Sequence, residues 1–114
     1  MVFFTVSSSM RGTACVVEAK GELDYHHTPL LRDEMNKVWE EGPPPTVVID
    51  VTALTFCDST GLAELIANLR RSGALGTRLV LAGVHGTLER ILTITGLRAA
   101  FELSPSAEDA LRKE

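Results

Sequence analysis

At 114 residues, with 45% apolar and 23% charged side chains, the chain has room for a single domain, residues 1–114, with one core and no space for a second. A formal net charge of -4 argues against a nucleic-acid partner, because phosphate backbones are met by clustered Lys and Arg. Cys15 and Cys57 lack CxxC spacing and the count of a secreted disulfide framework, which fits a reducing, cytoplasmic setting.

Val2 to Val6 and Thr13 to Ala19 are short β-rich runs, separated by the polar linker Ser7-Ser8-Ser9-Met10-Arg11-Gly12. They predict an antiparallel hairpin with a mobile tip. Met1 to Val6 lacks the positive start and long apolar stretch of a signal peptide, and no run approaches the roughly 18 apolar residues of a membrane helix. A membrane partner is therefore not expected. Gly21 to Asp24 closes the second strand. Thr28-Pro29 then reads as a helix N-cap followed by proline at the first helical position, with Leu30, Leu31, Met35, Val38 and Trp39 as the apolar stripe. Gly42-Pro43-Pro44-Pro45 stops that helix.

Val47 to Val51 is almost wholly apolar, the pattern of a parallel strand buried on both faces. Leu62, Leu65, Ile66 and Leu69 follow the spacing of one helix face, so Asp58-Ser59-Thr60-Gly61 falls at a strand-to-helix joint, with Cys57 in the loop before it. Arg70 and Arg71, an adjacent basic pair, read as cations complementing the last turn of this helix. Gly73 and Gly76 bracket the next turn, and Thr77 to Val84 form another buried strand. Thr87 is positioned to cap a third helix burying Leu88, Ile91 and Leu92 and ending near Gly96. Phe101 and Leu103 suggest a brief edge strand, and Ser104-Pro105 a cap for a last helix from Ser106 to Lys113, with Ala107, Ala110 and Leu111 inward.

These elements predict an α/β fold: a small mixed, largely parallel sheet of four or five strands, an N-terminal antiparallel hairpin and about four helices. Parallel strands collect their carboxyl-end loops at one edge, which places Asp24 and His26 beside Asp58, Ser59 and Thr60. Ser59 taken alone reads as a helix cap, yet three capping residues in a row exceed what one helix needs.

Several chemistries are disfavoured. His26-His27 has no companion ligands at zinc spacing, so no metal is expected. Cys57 stands where a G-x-S-x-G nucleophile elbow needs its first glycine, and no phosphate-binding loop motif occurs. The chain is read as a non-enzyme without a cofactor.

Gly21-Glu22-Leu23-Asp24, Asp50, Leu54-Thr55-Phe56, Asp58-Ser59-Thr60-Gly61-Leu62 and Gly96-Leu97 together resemble the STAS family, specifically its stand-alone anti-sigma factor antagonists. The resemblance spans nearly the whole chain. It implies that Ser59 is phosphorylated by a partner anti-sigma factor that is itself a serine kinase, and that the unphosphorylated form binds this kinase and frees a sigma factor. It also implies a phosphatase that restores the active form; with the loops gathered by the parallel strands, the expected partner surface comprises Asp24, His26, Asp58, Ser59, Thr60, Gly61 and Leu62. The chain departs from the commonest family pattern at Thr60, where a second serine is frequent, and at Cys57, where a larger apolar residue is frequent. The alternative implied is a STAS scaffold or small-ligand sensor within a stress-signalling assembly, acting on no sigma factor.

Overall fold

The computed structural model describes residues 3–113. Its elements, in chain order, are β1 (Phe4–Arg11), β2 (Ala14–Leu23), α1 (Thr28–Glu40), β3 (Thr46–Asp50), β4 (Leu54–Cys57), α2 (Ser59–Leu75), β5 (Arg78–Ala82), α3 (Gly86–Thr95), a 3-10 turn (Leu97–Ala100), β6 (Glu102–Ser104) and α4 (Ala107–Arg112). The α/β class and the N-terminal antiparallel hairpin are as expected. The sheet has six strands, not four or five: β1, β2, β3, β5 and β6 lie in that order, and β4 pairs with the far end of β2. Among the described residues only β1 with β2 is antiparallel.

Strand β2 serves two neighbours in succession. Its residues Ala14 to Glu18 pair with β3, a register shift follows between Gly21 and Glu22, and Leu23 pairs with Cys57 of β4. Gly21 makes the shift possible. It sits at φ 99°, and a Cβ there would lie 2.2 Å from the Phe3 carbonyl oxygen, a backbone conformation and a clearance only glycine tolerates.

One face of the sheet carries the main core. Val17, Val47, Ile49, Leu79 and Leu81 point into it and meet Leu31, Met35 and Trp39 of α1, Leu62 and Leu65 of α2, and Leu88 and Leu92 of α3. The alternate residues Val16, Val48, Val80 and Ala82 face the other way and are covered by Ala107, Ala110 and Leu111 of α4. Burial on both faces explains the unbroken apolar runs of β3 and β5.

Several boundaries differ from expectation. Ser7 to Arg11 is strand, paired with Glu18 down to Ala14, and the turn is only Gly12-Thr13, with Gly12 at φ 64° as the first position of a tight hairpin turn demands. Val2 lies outside the described residues. His27, not Thr28, holds the cap position of α1, and Leu30 is 48% exposed, off the buried stripe. Helix α2 continues through Gly73 to a left-handed cap at Gly76, leaving Arg70 and Arg71 short of its last turn; Arg71 donates instead to Asn36 of α1. Ser106, not Ser104, caps α4 by accepting from the Asp109 N–H, and Ser104 closes β6. Cys57 is the last residue of β4 and not part of a loop.

Candidate functional site

The joint between β4 and α2 is organised by one carboxylate. Asp58 takes the N-cap position, and its Oδ1 accepts from the Gly61 N–H at 2.9 Å, satisfying one of the amides that a helix start leaves without a partner. Its Oδ2 accepts from the Tyr25 N–H at 3.0 Å, across to the loop between β2 and α1. Asp58 thereby ties two loops of different crossover units into one surface. Its own N–H donates to the Leu23 carbonyl at 3.3 Å, and the Leu62 N–H donates to its carbonyl at 3.0 Å.

With the cap supplied by Asp58, Ser59 is released from that duty. It is the first residue of α2, its side chain is exposed, and it makes no side-chain hydrogen bond among the described residues. Thr60 is half-buried and lines a shallow groove of about 310 Å³ with Tyr25, His26, Thr28, Pro29 and Arg32. Gly61 and Leu62 lie beneath the surface, Leu62 only 5% exposed. A Cβ on Gly61 would lie 2.6 Å from the Leu23 carbonyl oxygen and 3.0 Å from Cys57 Sγ, so a bare backbone is what lets α2 settle against the ends of β2 and β4.

On the facing loop, Asp24 acts first on its own neighbours. Its Oδ1 accepts from the His27 N–H at 3.0 Å, and its carbonyl accepts from the Thr28 N–H and, at 2.7 Å, from the Thr28 hydroxyl. The Thr28 hydroxyl is thus a donor to the loop and not a cap acceptor. His27 Nδ1 lies 2.8 Å from Asp24 Oδ1 and 3.0 Å from the Glu22 carbonyl, and the ring stacks on Phe4. Desolvation pushes the Asp24 carboxyl up, but the His27 N–H and imidazole together outweigh it and hold the group below the usual carboxylate range. His26 is exposed and meets Tyr25 edge-on.

Cys57 closes the site from below. Its N–H donates to Thr87 Oγ1 at 3.0 Å, so Thr87 fastens α3 to β4 and does not cap its own helix, whose cap position is His85. Burial, with the Asp58 charge adding, pushes the Cys57 thiol up to about 12. It is inert packing.

The structure therefore brings Asp24, His26, Asp58, Ser59 and Thr60 together and puts Gly61 and Leu62 in support. Sequence reasoning missed Tyr25, 72% exposed at the centre of the surface, and Arg32, whose Nε donates to Glu64 Oε1 at 3.1 Å between α1 and α2. The signal for Tyr25 was present: it is the chain's only tyrosine and stands between Asp24 and His26 in the loop. Among the described residues, no helix is long and apolar enough to cross a membrane.

A family model described as "STAS domain" matches residues 6–110. The anti-sigma-B factor antagonist of Bacillus subtilis (strain 168) is 26% identical over 96 residues, 84% of this chain and 86% of that protein. Among solved structures, an anti-sigma factor antagonist from Mycobacterium paratuberculosis is similar with a TM-score of 0.87 and 29% identity, covering 97% of this chain and 93% of that one. The anti-sigma factor antagonist SpoIIAA in its unphosphorylated form shares the fold, with a TM-score of 0.81 at 22% identity over 96% of this chain and 95% of that one.

Proposed function

The chain belongs to the STAS family, and from that premise we propose that it is an anti-sigma factor antagonist switched by phosphorylation of Ser59. In this reading the unphosphorylated form docks on an anti-sigma factor that is also a serine kinase, and a sigma factor is released. Transfer of the γ-phosphoryl group of ATP to Ser59 Oγ, with loss of the hydroxyl proton and departure of ADP, ends the interaction. A separate phosphatase hydrolyses the ester and resets the protein. The chain is the substrate of these enzymes and performs no catalysis itself.

The observation that carries this reading is the division of labour between neighbours: Asp58 caps α2, and the Ser59 side chain is left exposed on the same first turn. The docking surface would be Asp24, Tyr25, His26, Ser59 and Thr60, held from beneath by Asp58, Gly61 and Leu62. Of the two adjacent hydroxyls, Ser59 is the better acceptor, because Thr60 is half-buried in the groove beside Arg32.

The switch follows from charge. A phosphoserine adds about 1.5 to 2 negative charges. The α2 N-terminus attracts it by roughly 0.3 to 2 kcal/mol. Asp58, at about 5 Å and an effective dielectric between about 20 and 80, repels it by roughly 1.5 to 6 kcal/mol. Repulsion is at least comparable, so the phosphate turns outward into the docking surface. Desolvating that dianion against a partner with no matching cation costs several kcal/mol, and each 1.4 kcal/mol is about tenfold in affinity.

Incubation with a cognate kinase anti-sigma factor and ATP, followed by phosphopeptide mapping, should label Ser59 and leave Thr60 unmodified. In titrations against the same kinase, Ser59→Ala should bind within about threefold of wild type and Ser59→Asp at least about tenfold more weakly. Equal binding by both variants would refute the charge switch.

A further inference from the structure

We propose that the free edge of β1 is a homodimer interface, pairing with β1 of a second copy in one antiparallel register. This inference stands independently of the function proposed above. Strand β1 is the outer strand of the sheet, with β2 on one side and, among the described residues, no strand on the other. Folded proteins usually protect such an edge with charges, proline, a bulge or brevity. From Phe4 to Met10 this strand has no charged residue and no proline, and its pairing with β2 runs without a register shift up to the turn. The opposite edge, β6, has only three residues and carries the Arg78–Glu102 ion pair.

The direction of the free groups fixes the register. The Glu22 N–H donates to the Phe3 carbonyl at 2.9 Å, so residue 3 exchanges hydrogen bonds with β2. By the alternation of an antiparallel pair, Thr5, Ser7, Ser9 and Arg11 do the same, while Phe4, Val6, Ser8 and Met10 turn N–H and C=O outward. A two-fold axis through Ser7 sets Phe4 opposite Met10 of the second copy and Val6 opposite Ser8. That register uses every outward-facing group of these residues. Shifting the axis to Ser8 leaves those of Phe4 without a partner.

The side chains agree with the same register. Phe3 and Met10 are 56% and 59% exposed. Paired this way, Met10 packs on Phe4 of the second copy, and Phe3 faces Arg11, the only charge on the strand, which is thereby kept away from its own symmetry mate. On the α1 side Ser8 donates to Glu34 at 2.7 Å, and Lys37 sits 2.9 Å from the same carboxylate, so the two copies approach as neutral ion pairs. The Phe4 end of β1 lies beside Gly21, close to the Asp24 loop, so an antiparallel dimer displays its two Ser59 surfaces at opposite ends. Both remain open, and the assembly is bivalent.

Sedimentation velocity on the full chain should give two-chain particles that dissociate on dilution. Ser8→Pro removes an outward N–H that β2 does not use, a place where an edge strand accepts proline; it should shift the particles to single chains with unchanged circular dichroism. Under mild oxidation Ser7→Cys should form an intermolecular disulfide, because directly opposed residues without mutual hydrogen bonds bring their Cβ atoms close, whereas Ser9→Cys should not. A wild-type chain that stays single at about 1 mM, dimers that persist in Ser8→Pro, or equal cross-linking at positions 7 and 9 would each overturn the proposal. If Ser8→Pro does not fold, the contrast between the two cysteine variants decides.

Discussion

Asp58 and Gly61 together define the geometry at Ser59, and each can be tested by one atom's worth of change. In Asp58→Asn the side chain keeps one oxygen, so it can accept from Gly61 or from Tyr25, and its NH₂ group must face the other backbone donor. We expect a loss of about 1 to 3 kcal/mol in urea unfolding, together with faster hydrogen exchange at the Tyr25 amide. An unchanged Tyr25 exchange rate would mean that Asp58 does not hold the loop. Gly61→Ala has a different cause. Its φ is unremarkable for any residue, but the added methyl meets the Leu23 carbonyl oxygen at 2.6 Å, and backbone cannot swing aside as a side chain can. The first turn of α2 must lift, at a cost of about 1 to 3 kcal/mol, and Ser59 moves with it. Kinase labelling of this variant should slow even at temperatures where it is fully folded; labelling at the wild-type rate would separate packing at Gly61 from presentation of Ser59.

Elements joined by apolar periodicity were readable from the chain, and elements defined by pairing were not. The stripe of Leu62, Leu65, Ile66 and Leu69 specifies α2 because a helix buries one face whatever it packs on. Strand β4 has no such independence: Leu54-Thr55-Phe56-Cys57 buries only its end residues, and it is a strand because the register shift at Gly21 gives it room on β2. Ser7 to Ser9 carry turn-forming side chains yet extend, because Val16 to Glu18 offer them a partner edge. Caps lie one or two residues from where the sequence places them: His27 for Thr28, His85 for Thr87 and Ser106 for Ser104. The gathering of Asp24, Asp58 and Ser59 at one surface was legible, because parallel strands collect their carboxyl-end loops at one edge. Arg32 was not, since its place depends on how α1 and α2 lie together. That helix pair rests on a polar contact inside the core: Trp39 Nε1 donates to Asn68 Oδ1 at 2.9 Å, and Asn68 Nδ2 donates to the Glu64 carbonyl at 2.8 Å. Asn68→Ala leaves the buried indole N–H without an acceptor and should destabilise the fold by about 1 to 3 kcal/mol, with a shifted Trp39 emission in the native state. Stability within about 0.5 kcal/mol of wild type would show that the bond adds nothing beyond packing.

Across the whole molecule, three carboxylates ionise more readily folded than unfolded: Asp24, which orders its own loop, and Glu34 and Glu102, which stitch separate elements together. At Asp24, desolvation is outweighed by the His27 contacts. Glu34 is held down first by the Ser8 hydroxyl and then by Lys37, linking α1 to β1. Glu102 is held down by the Arg78 guanidinium against its own desolvation, linking β5 to β6. Because the folded groups hold their protons less tightly, the unfolded chain binds more protons in acid, and stability rises with pH across that range. The contribution is complete above the ordinary values of 3.8 for Asp24 and 4.5 for Glu34 and Glu102, and it is lost as pH falls through the depressed folded values. The urea midpoint should therefore be flat from about pH 7 to 5 and fall steeply below about 4.5. The combined variant Asp24→Asn, Glu34→Gln, Glu102→Gln should begin from a lower midpoint and fall less steeply. A wild-type slope in that variant would assign acid sensitivity to other carboxylates, and the stitching of hairpin, helix and edge strand by these charges would have to be abandoned.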